Sequence, residues 1–137
     1  MNYVSFLFAM ALVIANSANA SEQKSVSFDY NNTKAYYSCS YAEAQMAKVL
    51  TAIGATEVST DCSGGIDNDQ LWPVSVDANF SHDLQGGKAV VLKGNESCDF
   101  NVKLIKAVLS TVDHEVVKAQ DNCWDADGSF KYEVYIK

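Results

Sequence analysis

The sequence predicts an α+β fold in which one antiparallel sheet carries two helices on a single face, built from two α-β-β or βαββ repeats. Three observations predict it: two stretches hold apolar residues at helical spacing, several others alternate apolar and polar residues, and a Ser-Cys…Cys plan occurs twice. A helix buries one stripe and a half-wet strand buries every second residue, so the two kinds of element cover one another. A ferredoxin-like relation between the repeats is compatible with this plan.

The chain opens on "MNYVSFLFAMALVIANSANA", apolar from Val4 to Ala15 and closing on Ala18-Asn19-Ala20. An apolar run that ends in small residues at this spacing is what signal peptidase cuts. Residues 1–20 therefore read as a secretory signal peptide, with Ser21 leading the mature chain. The run is shorter than the roughly 20 apolar residues that span a bilayer, and no later segment resembles a transmembrane helix. Without those 20 residues, 117 of the 137 remain, enough for one domain (21–137) around one core.

Val26 to Tyr30 is a short strand candidate. After it, "SCSYAEAQMAKVLTAIGATEVSTDC" (38–62) and "SCDFNVKLIKAVLSTVDHEVVKAQDNC" (97–123) share one order of elements: Ser-Cys, helix, turn, strand, Cys. The repeat halves fall at about 36–80 and 89–137. In the first, Ser40 and Glu43 form an S-x-x-E capping box that marks a helix start. Ala42, Met46, Val49 and Ile53, with Leu50 beside them, form the apolar stripe, and Gly54 is the expected stop.

Residues 56–62 then alternate, with Val58, Thr60 and Cys62 on one face and Glu57, Ser59 and Asp61 on the other. Val74, Val76, Ala78 and Phe80 oppose Ser75, Asp77 and Asn79 in the same way, and Ala89 to Lys93 is a further strand. In the second half Phe100, Leu104, Ile105, Val108, Leu109 and Val112 repeat at helical spacing, with Lys103 and Lys106 on the wet side. The last strand sets Phe130, Tyr132, Val134 and Ile136 against Lys131, Glu133, Tyr135 and Lys137. Turns are expected at "CSGGIDND" and "CWDADGS", where Gly and Asp supply backbone freedom.

Lengths decide the cysteine pairing. A helix of about 14 residues advances about 21 Å, and a return strand of about seven residues covers about 23 Å. Cys39 and Cys62 thus finish near one another, on the face that the helix packs against. Cys98 and Cys123 follow the same logic, with Asp121 interrupting the inward alternation of Val117, Ala119 and Cys123 as a bulge. Bonds Cys39–Cys62 and Cys98–Cys123 are predicted, each closing one helix-strand unit. Neither the C-x-x-C of a redox centre nor the paired short spacings of a zinc site is present.

The segments "YYSC", "IGATEV", "CSGG" and "PVSV" together resemble a YSC…GAT.V…CSGG pattern of uncharacterised small exported proteins of Gram-negative bacteria. The resemblance covers mainly residues 36–80 and the two later cysteines. It implies a bacterial envelope or secreted location, and it supplies no activity and no site residues.

All 10 basic residues are Lys, and 17 acidic ones bring the formal charge to −7. A chain without Arg lacks the usual fork for phosphates and base edges, so nucleic acid is disfavoured and a cationic partner is favoured. His82 and His114 each sit beside acids, as a general base would, yet no G-x-S-x-G, H-E-x-x-H or unpaired cysteine accompanies them. "DADGS" has the opening of a calcium loop, but Phe130 and Ile136 stand where an EF-hand needs Gly and Glu.

Among the aromatics, Phe28, Tyr30, Tyr36, Tyr37 and Tyr41 suit core filling as well as contact. Trp72 and Trp124 near the two turns, with Tyr135 and Asp77 on wet strand faces, are the binding candidates. The leading expectation is a periplasmic or secreted, non-catalytic binding module, an inhibitor or adaptor for a cationic partner, needing no cofactor. The alternatives are a small hydrolase using His82 or His114 with neighbouring carboxylates, and divalent-cation binding through Asp67, Asp69, Asp125 and Asp127.

Overall fold

The computed structural model describes residues 21–83 and 87–137; the expected signal peptide lies outside the described residues. The elements run β1 (Ser21–Tyr30), α1 (Cys39–Ala52), β2 (Ala55–Asp67), β3 (Gln70–Asp83), β4 (Lys88–Gly94), α2 (Cys98–Leu109), β5 (His114–Trp124) and β6 (Asp127–Ile136). This is a βαββ unit written twice, so the α+β class and the repeated plan are as the sequence predicts.

The strands divide into two three-stranded antiparallel sheets, ordered β1-β3-β2 and β4-β6-β5. Each half sets its last strand in the middle and its first two on the edges. The expected single sheet is thus split, and the ferredoxin-like order, which needs one sheet, does not form. The reason lies at the seams between the halves. Helix α1 packs on β2 and β3 and reaches β4, while α2 packs on β5 and β6 and reaches β1. The inner edges β1 and β4 each meet the other half's helix instead of each other.

The inward alternation is as expected. Val74, Val76, Ala78 and Phe80 of β3 and Phe130, Tyr132, Val134 and Ile136 of β6 are buried, and both helices close over them. Phe80, Phe100, Met46, Leu50, Leu104 and Ile105 are sealed from solvent in one core that joins the two halves. The cysteines pair as the lengths require, Cys39–Cys62 and Cys98–Cys123, with Cα atoms 5.7 and 5.3 Å apart. Two disulfides in one small domain are typical of extracellular and periplasmic proteins. Among the described residues no helix is long and apolar enough to cross a membrane.

Three local expectations are corrected. The cap of α1 is Ser38, not Ser40: Ser38 is extended (φ −75°, ψ 155°) and its Oγ accepts from the Tyr41 N–H at 3.2 Å. Ser40 already lies inside the helix, and Glu43 turns to accept from the Thr60 hydroxyl at 2.6 Å, which ties α1 to β2. The bulge of β5 lies between Val116 and Lys118, not at Asp121. Val117 is therefore turned out to solvent, while Asp121 keeps its place opposite Phe130 and accepts from the Tyr132 hydroxyl at 2.5 Å. Burial, reinforced by that carboxylate, pushes the Tyr132 pKa up to about 12. Last, β2 continues through Cys62 to Asp67, so the first reversal narrows to Asn68 and Asp69, both at positive φ as a tight hairpin demands.

Candidate functional site

The N-termini of the two helices meet. The Tyr37 ring lies 4.6 Å from that of Phe100, centroid to centroid, and Phe28, Tyr30 and Tyr41 close around Phe100 at 5.3, 5.1 and 5.6 Å. Cys39 and Cys98 begin their helices beside this cluster, so both disulfides sit at one end of the molecule.

Both long hairpins are tied to the same end. In the first, the Ile66 N–H donates to the Tyr37 carbonyl at 3.1 Å. Gly65 makes that approach at φ +79°, where a Cβ would stand 2.7 Å from the Tyr37 oxygen, so only glycine fits. In the second, the Asp125 and Ala126 carbonyls accept from the Asp99 and Cys98 N–H groups at 3.2 and 3.1 Å. They take the place of the side-chain cap that Ser97, left-handed at φ 45°, does not provide. The Lys34 ammonium lies 3.5 Å from Asp125 and links this tip to the segment before α1.

The side chains around the two hairpin tips are largely exposed. Trp124 is 76% exposed and Trp72 54% exposed, the latter with its indole N–H donated to Gln70 at 3.0 Å. Ile66 and Leu71, paired across the first hairpin, are exposed beside Trp72. Asp67, Asp69, Asp125 and Asp127 lie around them, all exposed. Indole faces and carboxylates both attract ammonium and guanidinium groups.

A second polar cluster braces the end from within. The Asp99 carboxylate accepts from the Tyr30 hydroxyl at 2.9 Å and lies 3.0 Å from the Lys103 ammonium, which itself stands over the Tyr30 ring. Burial pushes the Asp99 carboxyl up, but Lys103 and the Tyr30 hydroxyl outweigh it and hold the group below its ordinary value. Burial, then Asp99, raises the Tyr30 pKa.

The other candidate residues lie elsewhere. Asp77 is on the outer face of the first sheet, accepting from Ser27 and directly opposite Asp61. Tyr135 is on the outer face of the second, near Val91 and Val117. The structure does not bring them to the tryptophans. His82 is buried with Nε2 3.2 Å from the carbonyl of Ile53, the C-cap of α1, and His114 Nδ1 lies 2.9 Å from the Val112 carbonyl in the turn between α2 and β5. Among the described residues no three His, Cys, Asp or Glu side chains gather to hold a metal ion. The Asp67/Asp69 and Asp125/Asp127 pairs stand on separate hairpins.

Sequence reasoning missed Ile66 and Leu71; their signal was an apolar pair flanking the polar reversal "DNDQ". It also missed the Tyr30–Asp99–Lys103 cluster, which joins residues of different halves and leaves no mark in either. No protein-family model, no curated protein and no solved structure matches this chain.

Proposed function

We propose that the protein is an exported, non-catalytic binding module, acting in the periplasm or outside the cell, that docks a cationic partner at the end bearing Trp72 and Trp124. One observation supports this above the rest: tryptophans from both halves stand exposed on one disulfide-braced end, amid four aspartates. Exposed aromatics lose little rotamer freedom on contact, and two rigid hairpins hold them ready, which lowers the ordering cost of binding. Carboxylates at the rim favour encounter with positive surfaces, as does the net charge of −7.

The test is capture of partners from envelope extract or culture medium on the immobilised protein, at low and high salt. A lysine- or arginine-rich partner released by salt, and bound at least about tenfold more weakly by Trp72→Ala and Trp124→Ala, is the expected result; a hot-spot aromatic costs about 2 kcal/mol or more. Capture that ignores salt and both tryptophans would remove the proposal.

A further inference from the structure

The two seams between the halves differ. Where α2 meets β1, aromatic rings fill the space: Phe28 and Tyr30 pack on Phe100, the Tyr30 hydroxyl reaches Asp99, and Lys103 lies over the ring. Where α1 meets β4 the seam is open. Depressions of about 140 and 270 Å³ run side by side there, sharing Gln45, Lys48, Lys93, Asn101 and Phe130 in their walls.

Three features of this seam suit an extended chain. First, among the described residues β4 pairs with β6 alone, and the neighbouring α1 can supply no ladder of hydrogen bonds. Second, the smaller depression is lined by both Val91, which faces outward, and Leu92, which faces the core, so it follows the edge of the strand and not one of its faces. Third, its floor is apolar, with Val49, Ile105 and Phe130. An edge strand beside a helix over an apolar floor is the geometry by which a peptide adds itself to a sheet.

The charges name the occupant. In a chain of net charge −7, Lys48 and Lys93 line both depressions. Neither is paired with a carboxylate among the described residues. Lys131, paired with Glu133 at 3.4 Å, lies in an adjoining depression beside Lys93, and Glu96 lines the depression of about 270 Å³. We infer that the α1–β4 seam is a peptide groove that takes an acidic, extended segment of a partner protein as an added strand on β4. This surface and its charge preference are distinct from those of the tryptophan end, so either can fail without the other.

The test uses a bead library of randomised acetylated peptides of seven residues, the length of β4. Enrichment of sequences alternating apolar residues with Asp or Glu is expected, with amide-exchange protection of Ala89 to Lys93 on binding. N-methylation of one alternate set of peptide amides should weaken the best sequence at least about tenfold, from lost main-chain hydrogen bonds, while the other set is tolerated. Lys48→Glu with Lys93→Glu should reverse the charge preference while the circular dichroism stays unchanged. No enrichment, basic sequences, protection on β2 or β5 instead, or equal tolerance of both methylated sets would each overturn the inference. So would protection of β4 by self-association without peptide, which would make a second copy the occupant.

Discussion

Tyr37 of the first repeat packs on Phe100 of the second, ring centroids 4.6 Å apart, and this contact sets both disulfides and both hairpin tips at the same end. A twofold axis through a single sheet would instead send the two cysteine pairs to opposite ends. The splitting of the sheet and the convergence of the tips are thus one fact seen twice: each helix crosses the seam, and the helix starts meet.

The ring of Tyr37 matters more than its hydroxyl. Among the described residues that oxygen is buried without a hydrogen-bond partner, although Ser97 lies near it. Tyr37→Phe removes an unsatisfied polar group and should leave stability unchanged or raise it by about 1 kcal/mol. Tyr37→Ala, which opens the contact with Phe100, should cost about 3 kcal/mol. Urea unfolding measures both, and the reverse order would show that the hydroxyl, not the ring, holds the halves together.

Each disulfide closes a loop, with sequence separations of 23 and 25. In the chain-entropy account each contributes about 3.4 kcal/mol, and the double variants Cys39→Ala/Cys62→Ala and Cys98→Ala/Cys123→Ala should each lose about that much. The Tm of each variant against the parent checks it. A loss well under about 1 kcal/mol would mean that the hairpin-to-helix hydrogen bonds already hold the end.

Stability should fall at both extremes of pH, for opposite reasons. The folded-state pKa of Asp99 is depressed, so its contribution is complete above its ordinary value of 3.8 and is lost as pH falls through the lower folded value. The folded-state pKa of Tyr132 is raised, so its contribution is complete below 10.0 and is lost as pH rises through about 12. Tyr30, also raised, adds to the alkaline loss. Asp99→Asn should flatten the acid limb and remove part of the Tyr30 share of the alkaline limb, while Tyr132→Phe should shrink the alkaline limb alone. Denaturation midpoints across pH test this, and an acid limb left intact in Asp99→Asn would move its origin to another carboxylate.

Fold and recognition should separate at the hairpin end. Gly65→Ala meets both an unfavourable φ of +79° and the Tyr37 carbonyl at 2.7 Å, and should cost roughly 1–3 kcal/mol. Trp124→Ala removes a side chain that is 76% exposed and should change stability by no more than about 0.5 kcal/mol. Thermal melts of the two variants, beside the partner-capture assay, distinguish a structural glycine from a recognition residue. A large stability loss in Trp124→Ala would argue that the indole packs on its own hairpin.

The sequence by itself determined what depends on neighbours along the chain. The stripes of Met46 and Leu104, the alternation of Val74 to Phe80 and of Phe130 to Ile136, and the pairing of Cys39 with Cys62 all follow from pitch, pleat and chain length. Trp72 and Trp124 could be named from their closeness to turns. Their shared end could not, nor could the company of Ile66 and Leu71. Two local readings also failed in telling ways: the cap read at Ser40 falls at Ser38, because the backbone is still extended there and already helical at Ser40, and one extra residue at Val117 reversed a face while Asp121 found a partner in Tyr132. Tertiary structure alone decided the splitting of the sheet, the Tyr30–Asp99 contact and the open seam beside β4. Each joins residues of different halves, and their energies depend on how two repeats pack around Phe100, a relation with no local period to record it.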